Sequence, residues 1–597
     1  MAELVVYTKD DFLSGTAPYE EVYKYIEDPF ELGREIERMA SVAKLAGVSN
    51  FKTLFKAYAD KMKHAANPDL IENASDFDGQ PMELNTGSWL ADDHGISRIN
   101  AWGVEIFACV HPIMPIERLI NVDTGIAKIK LAFKLASWET CIVDKKTIAS
   151  ATSIVSLADY GIAVTSENAR ELVQYLHDVE YLNYTRIPTS HSITRLGWIG
   201  DRGFSPYIKD LSYDGEVSFI QMFEAVSEKG SFDKWLGVAK EVRKSGSIPA
   251  RIMLAASFAS VMVGPLGCLP FFVHLWGGTE TGKTVGLMLA TSVWADPEIG
   301  RFCKTFNATA VSQELTAGFV NSLPLAMDEL QLEKDRKSFD KMIYQLAEGV
   351  GRSRGLKTGG LQKTQTWRNC IMTTGEQPLT SDISGGGAMN RIIEINCEDQ
   401  KLFSDPVKVS NIVKKNYGHA GKEFISLLTD EVMELAQEVY SENYAALLKD
   451  ATEKQAMAGA LVLAADQIVS HLLFKDSMEL KIPDIAQFLL NKDDVNVNKH
   501  ALEWLRGWLV QNSSKFEWLD SDQKPEIWGK RTKDNVMIFN HIFNKACEAE
   551  GYNSRSFARW LVRNGYLVTD SKGKSTRVCD IYGSKVRCYV FREEKEW

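Results

Sequence analysis

The chain has 597 residues, of which 45% are hydrophobic and 25% charged, and its formal net charge is −11. A chain of this length exceeds what one hydrophobic core can organise and predicts roughly three to five domains. The acidic balance excludes a bulk basic surface for DNA. Any contact with nucleic acid therefore has to use local patches or the lining of a channel.

The sequence does not indicate a membrane-bound, secreted or zinc-binding protein. No run of about 18 or more apolar residues appears, and the first residues lack a basic segment followed by an apolar block. The nine cysteines are scattered and form no C-x-x-C pair. We therefore expect a cytoplasmic protein whose cysteines are reduced and lie in the core.

The first third of the chain predicts two accessory regions. Residues 1–80 carry apolar residues at helical spacing and predict a helical N-terminal domain without a recognisable motif. Residues 84–200 contain strand-like runs at 104–110 and 127–133, the second alternating lysine with apolar residues, and predict an α+β accessory domain. No catalytic constellation stands out in either region.

A phosphate-binding loop follows the apolar run 269–276. It fits the pattern G-x-x-x-x-G-K-[ST]. Its glycines allow backbone N–H groups to turn toward phosphate, the lysine supplies a charge for the β- and γ-phosphates, and the last hydroxyl is a Mg²⁺ ligand. The predicted ATP-binding residues are Gly277, Gly278, Thr279, Glu280, Thr281, Gly282, Lys283 and Thr284. The alternative is a Gly-rich turn with an exposed lysine, which the flanking strand and helix disfavour.

Two further strand ends complete an ATPase. An apolar run ends in Asp328 and Glu329, which are predicted to bind Mg²⁺ and to polarise the attacking water, respectively. A second apolar run ends in Thr373 and Thr374. One of these hydroxyls is predicted to sense the γ-phosphate, with Thr374 as the first choice and Thr373 as the second. An exposed acidic turn is the alternative for the two acids, and the threonine assignment depends on motif order alone.

A glycine run at 385–387 precedes Arg391 and another apolar strand. An arginine at this place is predicted to reach the γ-phosphate held by a neighbouring subunit, as an arginine finger does. The alternative is a surface arginine beside a loop. The order of P-loop, paired acids, polar strand end and arginine matches the AAA+ class of ring ATPases. It predicts an ATPase domain over residues 205–480.

Residues 349–364, between the acids and the threonines, predict a β-hairpin with Gly359-Gly360 at its tip. Helicase-type AAA+ proteins place such a basic hairpin in their central channel. The predicted DNA contacts are Arg352, Arg354, Lys357 and Lys363. The two lysines flank the tip, whereas the two arginines lie nearer the base and face either DNA or the nucleotide site of a neighbour.

Residues 490–597 predict a winged helix, because a capped helix over 553–565 precedes two strands, 576–581 and 586–591. Residues 553–592 contain nine basic residues and two acidic ones, which gives this segment a net charge of +7. A strongly basic segment in an otherwise acidic chain indicates a DNA-binding surface, with protein docking as the alternative. The predicted DNA contacts are Arg555, Arg559, Arg563, Lys572, Lys574, Arg577 and Lys585.

The segment from about 84 to 430 resembles the ATPase family of phage and cassette replication helicases, the Cch-type helicases, which are similar to MCM proteins. The resemblance is carried by residues 277–284, Asp328-Glu329, 351–355, 373–376, Asn390-Arg391 and 417–421. It implies an ATP- and Mg²⁺-dependent hexameric DNA helicase for replication of a mobile element. Its implied partners are single-stranded and forked DNA, further copies of the chain and other replication proteins of the element. The second-sensor residue stays unassigned.

We therefore predict a multidomain α/β protein, with an AAA+ P-loop ATPase core, helical and α+β N-terminal regions and a C-terminal winged helix. Two other functions stay open. One is an ATP-dependent origin-binding initiator or remodeller that recruits another helicase. The other is a DNA-binding regulator that uses ATP as an assembly switch. The basic hairpin favours a helicase over a regulator, because a switch needs no grip on DNA.

Overall fold

In a computed structural model the chain divides into two compact units. The first is Met1–Thr194 with Lys209–Asp214, and the second is Arg195–Ile208 with Gly215–Trp597. The structure describes the whole chain except residues 1–6, 27, 67–72, 101, 246, 306–307, 331–335, 356–359, 362–363, 381–385, 399, 517–525 and 594–597.

The first unit begins with four helices that share one apolar core. They are α1 (Lys9–Leu13), α2 (Ala17–Tyr23), α3 (Pro29–Leu45) and α4 (Phe51–Ala66). The side chains of Thr8 and Asp28 accept hydrogen bonds from the first free N–H groups of α1 and α3. Apolar residues at helical spacing, such as Leu32, Ile36 and Met39 on α3, are buried in this core.

Strands make up most of the rest of the first unit. In chain order they are β1 (Asn73–Ala74), β2 (Asn85–Gly87), β3 (Leu90–Asp92), β4 (Gly95–Ile99), β5 (Glu105–Cys109), β6 (Ile113–Asn121), β7 (Ala127–Lys134), β8 (Trp138–Asp144) and β9 (Thr189–Ile193), with α5 (Lys145–Ile148), a 3₁₀ helix (Ile154–Tyr160) and α6 (Ala169–Leu182) before β9. On β7, Ile129 and Leu131 are buried and the intervening lysines are half-exposed, as the alternating sequence predicts.

Residues 195–208 belong to the second unit and form the short pair β10 (Gly197–Trp198) and β11 (Phe204–Ser205). The chain then returns to the first unit as β12 (Leu211–Tyr213). The main sheet of that unit has the order β12-β9-β6-β7-β8. Its β12, β9 and β6 are parallel, and its β6, β7 and β8 are antiparallel.

The second unit is built around a fully parallel sheet. Three helices lead into it: α7 (Val217–Ala225), α8 (Phe232–Lys244) and α9 (Ile248–Ser260). The sheet and its helices are β13 (Phe271–Trp276), α10 (Lys283–Thr291), β14 (Lys304–Thr305), α11 (Ala310–Val320), β15 (Leu325–Leu330), α12 (Arg336–Glu348), β16 (Cys370–Gly375), α13 (Gly386–Met389) and β17 (Ile392–Asn396).

The strand order of this sheet is β14-β15-β16-β13-β17, and every neighbouring pair is parallel. The carboxyl ends of its strands therefore meet along one edge, which is where open α/β sheets bind ligands. Strand β16 lies between β13 and β15. The ends of the strands that carry the predicted P-loop, the threonines and the two acids are thus consecutive along this edge.

The segment between α12 and β16 is a hairpin. Antiparallel bridges join Val350 to Thr366 and Gly355 to Leu361, and the N–H of Gly351 donates to the carbonyl of Gln365 at 2.8 Å. The described part of the hairpin predicted over 349–364 is therefore paired as expected. Lys357, Gly359 and Lys363 lie outside the described residues.

Helices complete this part of the second unit: α14 (Pro406–Val413), α15 (His419–Leu427), α16 (Asp430–Leu447), α17 (Glu453–Val469), a π-helix (Ser470–Phe474) and α18 (Ile482–Ala486). The stretch Glu453–Phe474 is long and apolar enough to span a membrane by length and composition, but 78% of its apolar 18-residue window is buried inside the protein. It packs on α9 and α16 and carries a buried ion pair between Asp466 and Arg243 at 2.6 Å. We interpret it as a core helix.

The C-terminal region combines three helices with a four-stranded antiparallel sheet. Its elements are α19 (Val497–Gln511), a 3₁₀ helix (Ser513–Phe516), β18 (Gly529–Arg531), β19 (Asn535–Phe539), α20 (Asn540–Ala549), α21 (Ser554–Arg563), β20 (Arg577–Ile581) and β21 (Ser584–Arg592), with the sheet order β18-β19-β21-β20. Asn553 caps α21 and Gly565 follows it with φ +78°, as predicted for a capped helix.

The hairpin β20–β21 is tighter than its sequence suggests. Tyr582 and Gly583 alone form the loop, both with positive φ, which is the geometry of a type I′ turn. Ser584 and Lys585 belong to β21 rather than to the turn. Lys585 is therefore held on a strand, directly opposite Asp580.

Candidate functional site

The predicted P-loop joins the end of β13 to the start of α10. Gly277 and Gly282 have φ of +134° and +96°, and Glu280 has φ +62°. A Cβ atom at Gly277 would lie 2.8 Å from the backbone nitrogen of Glu398. Only glycine suits such a position, because the loop turns sharply against the segment that follows β17.

Lys283 is folded back over this loop. Its Nζ donates to the carbonyl oxygen of Gly277 at 2.9 Å and to Thr281 Oγ1 at 3.1 Å. The ammonium group is thus held at the mouth of the loop, beside the N-terminus of α10. A helix N-terminus and a lysine together form a favourable environment for phosphate.

Asp328 lies at the end of β15 and connects two other predicted residues. Its Oδ1 accepts a hydrogen bond from Thr284 Oγ1 at 3.2 Å and a very short one from Thr374 Oγ1. The residue is 1% exposed, and its Oδ2 is buried without a hydrogen-bond partner among the described residues. A buried carboxylate oxygen without a donor, beside a hydroxyl, fits Mg²⁺, which prefers oxygen ligands. Asp328 and Thr284 would hold this ion.

Glu329 is exposed, and its backbone has φ +56°. In a regular strand Asp328 and Glu329 would face opposite sides of the sheet. Here the register of β15 against β16 shifts between Met327 and Leu330, and both carboxylates line one cavity. A positive φ at a residue with a side chain is strained, and such strain is frequent at functional sites.

The two candidate threonines have different partners. Thr374 contacts Asp328, whereas Thr373 Oγ1 lies 2.8 Å from His274 Nδ1 on β13. The structure thus brings Thr374 to the acids and turns Thr373 toward the P-loop strand. The preference for Thr374 over Thr373 stays a prediction about function, but only Thr374 lines the cavity.

His274 was not singled out from the sequence, where it is one polar residue within an apolar run. It is fully buried, and its Nε2 lies 2.9 Å from the carbonyl oxygen of Gln377. A carbonyl only accepts, so Nε2 carries the hydrogen and Nδ1 accepts from the Thr373 hydroxyl. Burial lowers the pKa of His274 from 6.5 to about 4, so the imidazole is neutral at physiological pH.

Lys283, Asp328 and Thr374 line a cavity of about 750 Å³. It extends from Asp328, Glu329 and Thr374 to α14, and its described lining is Thr279, Glu280, Gly282, Lys283, Thr284, Val285, Asp328, Glu329, Thr374, Gly375, Glu376, Lys401, Pro406, Val407, Ser410 and Asn411. This volume suits a small-molecule ligand. The residues on α14 and Lys401 were missed by sequence reasoning, because no motif marks a surface that is completed by a later helix.

Arg391 lies outside this described lining. One guanidinium nitrogen donates to the carbonyl of Gly387 at 2.7 Å, and the guanidinium carbon is 4.8 Å from the centre of the Tyr344 ring. The structure therefore does not bring Arg391 to this cavity of its own chain. Its assignment as an arginine finger stays a prediction.

The two arginines at the hairpin base have partners within the chain. Arg354 forms an ion pair at 3.0 Å with Glu314, whose carboxylate is buried. Arg352 is exposed and donates to Gln345 at 3.0 Å. Arg354 therefore anchors the hairpin base, and its predicted contact with DNA would have to compete with an existing ion pair.

The seven basic residues predicted to contact DNA in the C-terminal region are all exposed: Arg555, Arg559, Arg563, Lys572, Lys574, Arg577 and Lys585. The three arginines are spaced four residues apart on α21, which places them on one face of the helix. The opposite face, with Phe557 and Leu561, is buried in the local core. The arrangement presents a basic helix face to the solvent.

The motif at 417–421 lies outside the described cavity lining. A Cβ atom at Gly418 would lie 2.1 Å from the carbonyl oxygen of Ser227, and one at Gly421 would lie 2.3 Å from Trp294. Both glycines are required by close packing of α15 against neighbouring segments. This part of the resemblance therefore reflects packing of the second unit.

Two family profiles match the chain. One, described as "Domain of unknown function (DUF927)", matches residues 94–367, and one described as "Cch helix turn helix domain" matches residues 496–596. In a sequence comparison, no curated protein matches the chain. The matched region at the C-terminus contains α19, α20 and α21 with their sheet, so the chain ends in a helix-turn-helix domain.

Among solved structures, the chain is similar to one described as "SCCmec type IV Cch - active helicase". The identity is 19%, the TM-score is 0.60, and the likeness covers 86% of this chain and 98% of that chain. A second, "The A form apo structure of NrS-1 C terminal region-CTR", has 9% identity and a TM-score of 0.25 over 79% of this chain and 95% of that chain. This TM-score is too low to indicate a common fold. The first likeness shows the fold: a multidomain α/β protein with a C-terminal helix-turn-helix domain.

Proposed function

We propose that the cavity of the second unit binds ATP with Mg²⁺ and hydrolyses it. The observation that carries this proposal is the junction at Asp328. It joins Thr284 of the P-loop and Thr374 of the neighbouring strand, in a cavity that also contains Lys283 and Glu329. P-loop NTPases bind the metal with a P-loop hydroxyl and a strand-end aspartate.

Each residue has a role in this proposal. Lys283 and the N-terminus of α10 bind the phosphates. Glu329 accepts the proton of the attacking water, and Thr374 orients the γ-phosphate end of the site. Bound Mg²⁺ would neutralise charge that develops on the phosphate oxygens. Arg391 would serve the site of an adjacent subunit.

We further propose that hydrolysis drives unwinding of DNA, and that the chain is an AAA+, MCM-like helicase acting as a hexameric ring on single-stranded and forked DNA. Three observations support this: the fold is similar to that of a protein described as an active helicase, a hairpin with basic residues precedes β16, and the C-terminal helix-turn-helix domain presents exposed basic residues. The setting would be cytoplasmic replication of a mobile element, with other replication proteins of that element as partners.

A second candidate function is an ATP-dependent initiator or remodeller that binds an origin and recruits another helicase. The basic face of α21 favours it, because duplex recognition by a helix-turn-helix domain suffices for origin binding. Such a protein would hydrolyse ATP and bind DNA without separating strands.

Strand displacement distinguishes the two functions. A forked DNA labelled on one strand is incubated with the protein, with and without ATP and Mg²⁺, and the released strand is measured. The helicase proposal expects ATP-dependent release, which Lys283→Ala abolishes while DNA binding persists. Tight DNA binding and ATP hydrolysis without strand release would contradict it and favour the initiator.

A further inference from the structure

Two consecutive residues of α12, Tyr344 and Gln345, contact two different parts of the second unit. The Tyr344 ring lies under the Arg391 guanidinium at 4.8 Å. A Cβ atom at Gly387 would lie only 2.1 Å from the Tyr344 hydroxyl oxygen. Tyr344 is therefore closely packed against the same backbone whose carbonyl accepts a hydrogen bond from Arg391.

Gln345 contacts the base of the hairpin. Its Nε2 donates to Glu314 Oε2 at 2.8 Å, and its Oε1 accepts from Arg352 at 3.0 Å. The same Glu314 carboxylate accepts from the backbone N–H of Arg352 at 3.1 Å and from the Arg354 guanidinium at 3.0 Å. One buried carboxylate thus joins α11, α12 and the first strand of the hairpin.

The second strand of the hairpin is also tied to α12. The indole Nε1 of Trp367 donates to the Leu346 carbonyl at 2.7 Å, and the Trp367 side chain is buried. Residues 344, 345 and 346 therefore contact, in order, the Arg391 segment, the first hairpin strand and the second. A helix is a stiff element, so a displacement of the hairpin base moves the residue that supports Arg391.

We propose that α12 transmits DNA binding at the hairpin to Arg391, and that Tyr344 and Gln345 are its positioning residues. The inference rests on the proposed function, because it takes Arg391 as the residue that completes hydrolysis in an adjacent subunit. Movement of the hairpin base pulls Gln345 directly through its hydrogen bond with Arg352, and indirectly through Glu314, which is bonded to both Gln345 and the hairpin. The resulting shift of Tyr344 changes the direction in which the Arg391 guanidinium is presented.

The test is a double-mutant cycle on the ratio of ATPase activity with and without single-stranded DNA. Tyr344→Leu removes the ring face under Arg391, and Gln345→Ala removes the side-chain link to the first strand of the hairpin. Each variant is expected to lower the ratio by roughly fivefold or more, which is the usual size of coupling between two sites. The double variant is expected to have the ratio of the single variants, because both changes interrupt one route. The proposal is overturned if either single variant keeps the wild-type ratio. It is also overturned if the loss in the double variant equals the product of the two single losses.

Three further variants separate this role from general loss of structure. Tyr344→Phe keeps the ring and is expected to keep the DNA response. Gly387→Ala forces Tyr344 to move and is expected to reduce the response, although it changes neither the hairpin nor the cavity. Gly237→Ala, on α8, is the matched control, because a Cβ atom there meets nothing within 4 Å. Loss of response in Tyr344→Phe, or a full response in Gly387→Ala, contradicts the proposed route.

The same measurements distinguish failure of the inference from failure of the proposed function. Every variant is also tested for ATP binding, which should be unaffected because neither Tyr344 nor Gln345 lines the described cavity. A wild-type ATPase that ignores single-stranded DNA would refute the helicase function, and the inference would fall with it. A wild-type response that persists undiminished in Gln345→Ala would refute the inference alone.

Discussion

Asp328 Oδ1 accepts hydrogen bonds from both Thr284 and Thr374, which belong to α10 and β16 and are 90 residues apart in the chain. The P-loop and the neighbouring strand thus converge on one carboxylate. The other oxygen of this carboxylate has no hydrogen-bond partner among the described residues. Asp328 and Thr284 would hold Mg²⁺, in a cavity that Glu329 also lines.

Substitutions of Lys283 and of Glu329 are expected to impair different steps, ATP binding and ATP hydrolysis respectively. Lys283→Ala should weaken ATP binding roughly 10- to 100-fold, because a charge-assisted hydrogen bond to phosphate is lost. Glu329→Gln should bind ATP normally but hydrolyse it roughly 100- to 10,000-fold more slowly, because the amide cannot accept a proton. Binding of a fluorescent ATP analogue and phosphate release measure the two steps. Wild-type turnover in Glu329→Gln would remove it as the base.

The adjacent threonines allow a matched comparison. Thr374→Val removes the hydroxyl that contacts Asp328, and hydrolysis is expected to fall roughly tenfold or more, the rate equivalent of one hydrogen bond to a charged group. Thr373→Val removes the partner of His274 instead. It should lower the free energy of unfolding by about 1 kcal/mol and leave hydrolysis near the wild-type rate. The reverse pattern would assign the sensing role to Thr373.

Local motifs were sufficient to place the loop 277–284 between a strand and a helix, the acid pair at a strand end, and the base of the hairpin, because each depends on residues close together in sequence. The hairpin was predicted from Gly359-Gly360 between extended flanks; its described bridges support the flanks, and Gly359 lies outside the described residues. The pairing of His274 with Thr373 was not predictable, because the two residues are 99 positions apart and meet only when β13 and β16 pair. The contact of Tyr344 with Arg391 was missed for the same reason, since helix packing sets it. For the C-terminal hairpin the sequence predicts both strands but leaves four residues between them, whereas the loop has two. The shorter loop was not predictable because the positive φ of Tyr582 is not evident from its side chain.

The buried His274 predicts a pH-dependent stability. Its pKa in the folded protein is about 4 against an ordinary 6.5, so between these values the unfolded chain binds a proton that the folded chain does not. Stability from this group is therefore complete above about pH 6.5 and is lost as the pH falls toward 4. At about pH 5 the loss relative to about pH 7.5 should be about 2 kcal/mol.

Urea unfolding of the wild type and of His274→Asn tests this expectation. Asparagine does not titrate, and its side-chain oxygen is able to accept from Thr373 in place of Nδ1. Other groups titrate in both proteins, so the informative quantity is the difference between their pH dependences. Equal slopes for the two proteins between about pH 7.5 and pH 5 would contradict a buried neutral imidazole.

The basic face of α21 is expected to supply affinity for DNA rather than chemistry. Arg559→Ala should leave ATP hydrolysis unchanged and weaken binding to duplex DNA, with the slope of log K against log salt falling by roughly 0.9 if one phosphate contact is lost. Lys533, exposed between β18 and β19, is the control, and Lys533→Ala should change neither quantity. Identical slopes for Arg559→Ala and wild type would indicate that this face docks a protein.

Arg391 is expected to act on the nucleotide of an adjacent subunit. Its guanidinium lies outside the cavity lining of its own chain, so Arg391→Ala should lower hydrolysis while ATP binding is retained. When Arg391→Ala and Lys283→Ala chains are mixed in equal amounts, about a quarter of the interfaces in a ring pair an intact P-loop with an intact arginine. Activity should therefore rise to about a quarter of wild type, above the activity of either variant alone. Fluorescence energy transfer between differently labelled chains establishes that subunits exchange. No recovery in exchanging chains would mean that Arg391 does not cross the interface.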